Sequence, residues 1–491
     1  MKRQRARFVK IVITAIISGA VYLLVSQYYQ GLGFPLDDAW IHQVYARNIA
    51  RGEGWEFITG NPSGGSTGPL WSMLLALPHL LGISPIWGAY FWGLVMLTIA
   101  AWTGSVIFER LLPEVEIWPL WVGIGLVTEW HLVWAALSGM ETLLFSSLIL
   151  SCVLLVEREE RWAWLAAGLT VGLSIWVRPG GLTLLGLAGW AALFSRVRGK
   201  EKARNIGLLM AGFFLMFLPY LGFNQLTAGD WWPNTFYAKQ AEYAVLRQRP
   251  FFWRLTELGL QPIMGLGLPL VPGFLAFTAR QIARRRWRLL AGPMWCVGYI
   301  FLYAWRLPVT YQHGRYLIPV IPLLVVFGIS GMAAALQGKG DTRWEFVLSR
   351  SWVSATVLLA LSFWVIGAGA YGRDVAVIET EMVHVAQWAD QHLEEDALVA
   401  AHDIGALGFY TDLQILDLAG LVSPEVIPFI RKEDQLAAYM SEQQADYLIA
   451  FPGWYPDLVD QAELVYQSGG EFAPKLGQEN LSVYRWPGDS E

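Results

Sequence analysis

Met1-Lys-Arg-Gln-Arg-Ala-Arg7 runs directly into Phe8-Val-Lys-Ile-Val-Ile-Thr-Ala-Ile-Ile-Ser-Gly-Ala-Val-Tyr-Leu-Leu-Val-Ser26. A basic start followed by an apolar run is shared by signal peptides and first transmembrane helices. Here the run continues through Val21-Tyr-Leu-Leu-Val25 without a small-residue cleavage site. Ten more apolar stretches follow, near 86–108, 118–137, 142–157, 162–177, 181–195, 205–223, 258–279, 289–304, 316–337 and 351–371. We read the first run as a retained span and the chain as a polytopic α-helical membrane protein of about eleven transmembrane helices.

Composition agrees. Of 491 residues, 55% are hydrophobic and 15% charged, against roughly a quarter charged in soluble domains. These figures exclude a disordered chain, a coiled coil and a disulfide-stapled secreted domain. Cys152 and Cys296 sit in apolar stretches and read as small core or lipid-facing residues. The charge is uneven. Residues 374–491 hold 22 of the 40 acids but 4 of the 35 bases, leaving 18 acids and 31 bases in residues 1–373. The chain therefore divides into a basic membrane part, 1–373, and an acidic soluble part, 374–491. An acidic soluble part would repel phosphates, so nucleic acid is not an expected partner.

Pro69 to Gly82 is apolar but short, which suits a re-entrant or interfacial helix. If it does not cross, the basic clusters Lys2–Lys10, Arg110, Arg158/Arg161, Arg196–Arg204, Arg280–Arg288 and Lys339–Arg350 share one side, with 21 Lys+Arg against 9 opposite. That is the positive-inside pattern, with the N-terminus cytoplasmic and the plasma membrane as the location. The C-terminal part then lies outside the cytoplasm. Its helical spacing at 381–394 and 435–444, and its strand patterns at 397–401, 415–416 and 447–451, predict a small α/β domain. Asn480-Leu481-Ser482 fits a glycosylation sequon, a short pattern that chance supplies often.

The first outer loop, 27–85, is long, polar and Gly-rich, which marks it as functional. It carries Asp37-Asp38. Paired carboxylates near a membrane surface are costly unless solvated, paired or used. They could serve as a general base or help hold a divalent metal, or simply solvate the loop and cap the helix near Ala39. Glu141 stands at the outer end of an apolar helix, where it could orient a basic group or interact with the helix dipole. Arg178, in Arg178-Pro179-Gly180-Gly181, needs an anion, an acid partner or a route to the interface. Lys239, His313 and Arg315 lie at outer ends and could bind a lipid phosphate; each alone reads equally as an interface anchor. His402-Asp403 resembles a catalytic pair, but a satisfied strand-end histidine accounts for it. On the predicted topology, Asp37, Asp38, Glu141, Arg178, Lys239, His313 and Arg315 share one interface. There is no Walker A, HExxH or nucleotide-sugar D-x-D sequence. This combination suits group transfer from a lipid-linked phosphate.

These residues also resemble motifs of the GT-C glycosyltransferases, polytopic enzymes using polyprenyl-phosphate sugars. The likeness is to the bacterial branch with terminal arabinofuranosyltransferases, and more widely to protein O-mannosyltransferases. It rests on Asp37-Asp38-Ala39, Tyr45-Ala46-Arg47-Asn48, Gly60 to Gly68, Pro69-Leu70-Trp71, Ser138 to Thr142, Arg178-Pro179, Pro233 to Lys239, Gly314-Arg315-Tyr316 and His402 to Gly408. The resemblance implies a GT-C-like membrane domain with a small C-terminal extracytoplasmic α/β domain. It implies an acid of the first outer loop as catalytic base, Asp37 first and Asp38 second, in an inverting single displacement. It implies Glu141, Arg178, Tyr237, Lys239, His313, Arg315 and Tyr316 around the donor's phosphate and sugar. The donor would be a polyprenyl-phosphate sugar, and the acceptor a cell-envelope glycan, lipid or protein. No cofactor is required, although Asp37 and Asp38 could hold a divalent metal. Gly180 stands where the branch has an acid, and Gly64-Gly65-Ser66 where it often has Glu-Gly-Tyr, so sugar and acceptor stay unassigned. The alternatives are a transporter or flippase of lipid-linked sugars, and a glycan ligase or polymerase using a diphosphate-linked oligosaccharide.

Overall fold

Lys2–Tyr29 forms one unbroken helix of 28 residues. At about 1.5 Å per residue that exceeds the ~30 Å hydrocarbon thickness. Its outer side exposes Ile13, Ile16, Ile17 and Leu24, a surface suited to lipid. The structure, a computed structural model, describes residues 2–337 and 343–487; Lys339 of the last basic cluster lies outside them. Among the described residues, five helices are long and apolar enough to cross a membrane: Lys2–Tyr29, Pro85–Leu111, Gly199–Thr227, Tyr311–Leu336 and Arg343–His392. Two bent pairs raise the number to seven. The expected eleven is not reached on length, because Thr142–Val156, Arg161–Val177 and Ala291–Arg306 run to 15, 17 and 16 residues, short of the ~20 for a full span. The chain is nonetheless a mostly helical, multi-pass membrane protein.

Two expected spans are interrupted. Residues 118–137 bend by 54° at Glu129. That residue leaves the helical region, and its carboxylate accepts the Leu132 N–H at 2.9 Å, capping the next helix. The run expected at 258–279 is broken where Phe251–Ile263 meets Gly267–Ala283 at 104°. Gly265 supplies the turn with φ 84°.

Close helix packing relies on missing side chains. Helix Arg161–Val177 meets Gly199–Thr227 at Gly168 and Gly212. A Cβ on Gly168 would stand 2.0 Å from the Leu209 carbonyl oxygen, and one on Gly212 would stand 2.3 Å from that of Leu165. Small residues let backbones approach where lipid offers no hydrophobic drive between helices.

The segment 27–85 is structured. It holds a helix, Asp38–Arg51, a short hairpin of β1 (Glu56–Ile58) and β2 (Asn61–Pro62), and a helix, Pro69–Leu80. The last has 12 residues, too few to cross alone. Three spans are tied to its start. Tyr371 Oη donates toward the Leu137 carbonyl at 3.1 Å and lies 3.2 Å from Tyr90 Oη, which donates to the Gly33 carbonyl at 2.5 Å.

Helix Arg343–Ile378 continues through a π-turn at Glu379–Val383 into His384–His392. The compositional boundary at 373/374 thus falls inside a helix. Beyond it lies a five-stranded sheet, order β4-β3-β5-β7-β6. Strands β3 (Leu398–Ala401), β4 (Gln414–Asp417) and β5 (Tyr447–Ala450) run parallel and answer to the three expected strands. Strands β6 (Glu463–Gln467) and β7 (Ser482–Arg485) add an antiparallel edge. The sequon asparagine is engaged: Asn480 Nδ2 donates to the Gly470 carbonyl at 2.7 Å and to Glu381 Oε1 at 3.1 Å. Cys152 and Cys296 are buried and unpaired.

Replacing Gly168 by valine should force the two helices apart and cost about 1–3 kcal/mol. Thermal unfolding in detergent should show a lower midpoint, with Gly186→Val, which meets nothing within 4 Å, unchanged.

Candidate active site

Arg178 closes helix Arg161–Val177, and Glu141 opens helix Thr142–Val156. Their ion pair is buried, with Arg178 Nε 2.8 Å from Glu141 Oε1. Arg178 Nη2 also donates to Thr142 Oγ1 at 3.2 Å, while Nη1 has no hydrogen-bond partner among the described residues. Arg315 arrives from a strained turn. Gln312, His313 and Gly314 all adopt positive φ, at 52°, 58° and 63°, a conformation non-glycine residues hold only under constraint. Part of that constraint is His313. Its Nε2 lies 2.7 Å from Asp374 Oδ2, and its ring meets Trp130 and Trp134 edge-on. His313 therefore anchors the turn, and it is not among the residues lining the cavity next to it.

Arg178, Glu141, Lys239, Arg315 and Tyr316 line one cavity of about 370 Å³. The three cations surround the Tyr316 ring, at 5.8 Å for Arg178, 5.9 Å for Lys239 and 5.0 Å for Arg315. The remaining wall is largely apolar, including Trp232, Phe236, Leu302 and Leu307. Tyr237 points elsewhere; its hydroxyl donates to Asp230 at 2.8 Å, and it does not line the cavity.

Asp38 sits at the start of its helix and pairs with two of these cations. Its Oδ2 lies 2.5 Å from Arg315 Nη1 and 3.8 Å from Lys239 Nζ. Burial opposes its ionisation, but Arg315 and Lys239 outweigh that and hold its carboxyl well below the usual carboxylate range. Asp37 faces the C-terminal α/β domain. It accepts the Gly405 N–H at 2.7 Å and the Ala406 N–H at 2.8 Å, on separate oxygens. It makes no side-chain bond to the helix it precedes, so it is not the cap that the loop reading allowed. Burial and the nearby Asp403 carboxylate raise its pKa to about 8, against the pull of the two N–H groups. Asp403 rises to about 6, through burial and the neighbouring Asp38 and Glu242, despite the opposing His402.

His402 is satisfied, as expected for a strand-end histidine. Its Nδ1 lies 2.6 Å from Tyr455 Oη, and its Nε2 lies 3.5 Å from Glu242 Oε1. Burial disfavours its charge, but Tyr455 and Glu242 keep its pKa well above the ordinary histidine value. Glu242 ends the short helix Asn234–Glu242 that also carries Lys239; three residues apart, the two share a helix face, with Glu242 meeting the C-terminal domain and Lys239 the cavity.

The structure brings together Asp38, Glu141, Arg178, Lys239, Arg315 and Tyr316, and leaves His313 and Tyr237 outside. The sequence reading missed His42, Ser66, Ser72 and Glu242. His42 stands one helical turn after Asp38, at i+4, which is the signal that was available. Of the two loop acids, Asp37 is bonded to two backbone donors and Asp38 faces two cations. Among the described residues there is no group of three or more His, Cys, Asp or Glu suited to a metal ion.

Known proteins give the following likenesses. Residues 373–484 match a family model described as a domain of unknown function, DUF8728. No curated protein matches the chain in sequence. In structure, the chain is similar to ArnT from Cupriavidus metallidurans bound to undecaprenyl phosphate, at TM-score 0.61 and 12% identity, over 96% of this chain and 97% of that one. It is similar to the mycobacterial arabinofuranosyltransferase AftD at TM-score 0.54 and 15% identity, over 97% of this chain but 40% of AftD. It is also similar to the Archaeoglobus fulgidus oligosaccharyltransferase in complex with Zn and sulfate, at TM-score 0.57 and 11% identity, over 89% of this chain and 68% of that one. Such identities speak for architecture, and on that architecture the chain has the GT-C glycosyltransferase fold.

Proposed function

We propose that the protein is a membrane glycosyltransferase that moves a sugar from a polyprenyl-phosphate donor to a hydroxyl of a cell-envelope glycan, lipid or protein outside the cytoplasm. The observation that carries this is the cavity's charge. Arg178, Lys239 and Arg315 meet two carboxylates, Asp38 and Glu141, and a fourth cation, the exposed Arg306, also lines the cavity. Positive charge in excess of the carboxylates suits an anionic phosphodiester. The unpartnered Arg178 Nη1 and Arg315 Nε supply hydrogen-bond donors for it. The apolar wall suits a polyprenyl chain, and the structure of ArnT with undecaprenyl phosphate provides a lipid precedent on the same fold.

In this reading the donor phosphate draws Arg315 and Lys239 off Asp38. Freed of its counter-ions, Asp38 regains affinity for a proton. The acceptor oxygen attacks the anomeric carbon, its proton passes to Asp38, and the bond to the phosphate oxygen breaks with inversion. Arg178, Arg315 and Lys239 stabilise the departing lipid phosphate. The geometry favours Asp38 over Asp37 as base, because Asp37 is committed to the outer domain. Asp37 acts as the fastening of that domain.

Asp38→Asn should lower transfer from a panel of radiolabelled polyprenyl-phosphate sugars by about 100-fold or more, while undecaprenyl phosphate still binds. A fully active Asn variant would remove Asp38 as base. Lipid scrambling without transfer would instead favour a flippase, and release of a lipid diphosphate would favour a ligase or polymerase.

A second expectation concerns Asp37. Its pKa is about 8 when folded against 3.8 for the free group, so the protonated form stabilises the fold. That contribution is complete below about pH 4 and is lost as pH rises through about 8. The thermal midpoint should fall between about pH 4 and 8, and Asp37→Asn, which cannot ionise, should show a flatter slope. Parallel slopes would assign the pH dependence elsewhere.

A further inference from the structure

Behind the cavity wall lies a buried polar chain that the transfer step above does not use. His42 is 3% exposed, Ser66 2%, Ser72 0% and Glu141 1%. His42 Nδ1 lies 2.9 Å from Ser72 Oγ and 3.2 Å from Ser66 Oγ, and the two hydroxyls are 3.0 Å apart. On the other side of the ring, Nε2 lies 3.3 Å from Glu141 Oε2. That approach is within ion-pair distance, and the oxygen has no hydrogen-bond partner among the described residues. Glu141 Oε1 in turn receives Arg178 Nε at 2.8 Å.

We propose that His42 is a positioning residue of the transfer site: it holds Glu141 in a one-point contact with Arg178, so that Arg178 keeps an unshared N–H for the donor phosphate. This rests on the donor reading above. A carboxylate next to a guanidinium ordinarily takes two of its N–H groups in a parallel fork. Here Glu141 takes only Nε, Thr142 takes Nη2, and Nη1 is left over at the cavity. The second carboxylate oxygen is turned instead toward the imidazole. In this arrangement the nearer hydroxyl, Ser72, donates to Nδ1 and Ser66 bonds to Ser72, so that the ring proton lies on Nε2 and faces Glu141. Without the ring, Glu141 swings onto the guanidinium edge and occupies the N–H groups that the phosphate would use.

The packing keeps this chain in place. Gly68 lies between Glu141 and the end of the helix that precedes Arg178: a Cβ there would come 2.7 Å from the Val177 carbonyl oxygen and 3.2 Å from Glu141 Cγ. The loop that carries Ser66 therefore passes directly over Glu141, with no room for a larger residue. A core histidine serving packing alone would be replaceable by an apolar ring of similar size.

The test measures undecaprenyl phosphate binding to the full-length protein in lipid nanodiscs. His42→Phe should weaken binding by about tenfold. His42→Gln, which retains an N–H donor toward Glu141, should stay within about threefold of wild type, whereas His42→Asn, too short to reach it, should follow Phe. In transfer assays His42→Phe should raise the donor KM and leave kcat nearly unchanged. On an Arg178→Ala background, His42→Phe should add no further loss, because the effect runs through Arg178. Wild-type protein that fails to bind undecaprenyl phosphate overturns the donor reading and this inference with it. Wild-type binding with His42→Phe unchanged, or with the same loss when Arg178 is absent, overturns this inference alone.

Discussion

A positive charge held beside lipid must be answered by a negative one, and the architecture of this protein is arranged around an answer that stops short of neutrality. Arg178 is matched by Glu141, and Arg315 and Lys239 share Asp38. Desolvating these groups is expensive, and pairing repays it only when geometry is good. Hence the number of elements recruited to a small volume: a helix end for Arg178, a helix start for Glu141, a short outer helix for Lys239, and a left-handed turn for Arg315. The turn holds its conformation because His313 and Asp374 fasten it from behind. The Gly-rich loop passes over the ion pair because it has few side chains to obstruct it.

Much of this was legible in the chain itself. Long apolar runs with basic flanks gave a polytopic membrane protein, since hydrocarbon thickness dictates helix length. The acidic C-terminal part with its three strand patterns gave the α/β domain. Most of the cavity residues could be named, since isolated charges in an apolar sequence are costly and few in number. Three things were not legible. Whether a 15- to 17-residue apolar helix crosses cannot be decided by hydropathy. The breaks at Glu129 and near Gly265 come from a cap and a turn, and a sliding average smooths over both. The direction in which a side chain points is invisible to spacing: Asp37 and Asp38 are neighbours, yet one serves the outer domain and the other the cavity, and His313 and Arg315 part in the same way.

The outer domain is bound to the membrane part by specific polar contacts. Asp37 receives two N–H groups from the start of the short helix at Gly405, and Glu242 meets His402 and Arg431. The same short stretches of chain supply the cavity with Asp38 and Lys239. Domain docking and cavity lining therefore draw on adjacent residues of the same short segments.

The helix from Arg343 to His392 leaves no linker between the two parts. At about 1.5 Å per residue it is a rod on the order of 75 Å long, with one end in hydrocarbon and the other under a sheet. A rod has no hinge. When the bilayer thins or thickens, such a helix changes its tilt, and the sheet it carries must lean with it.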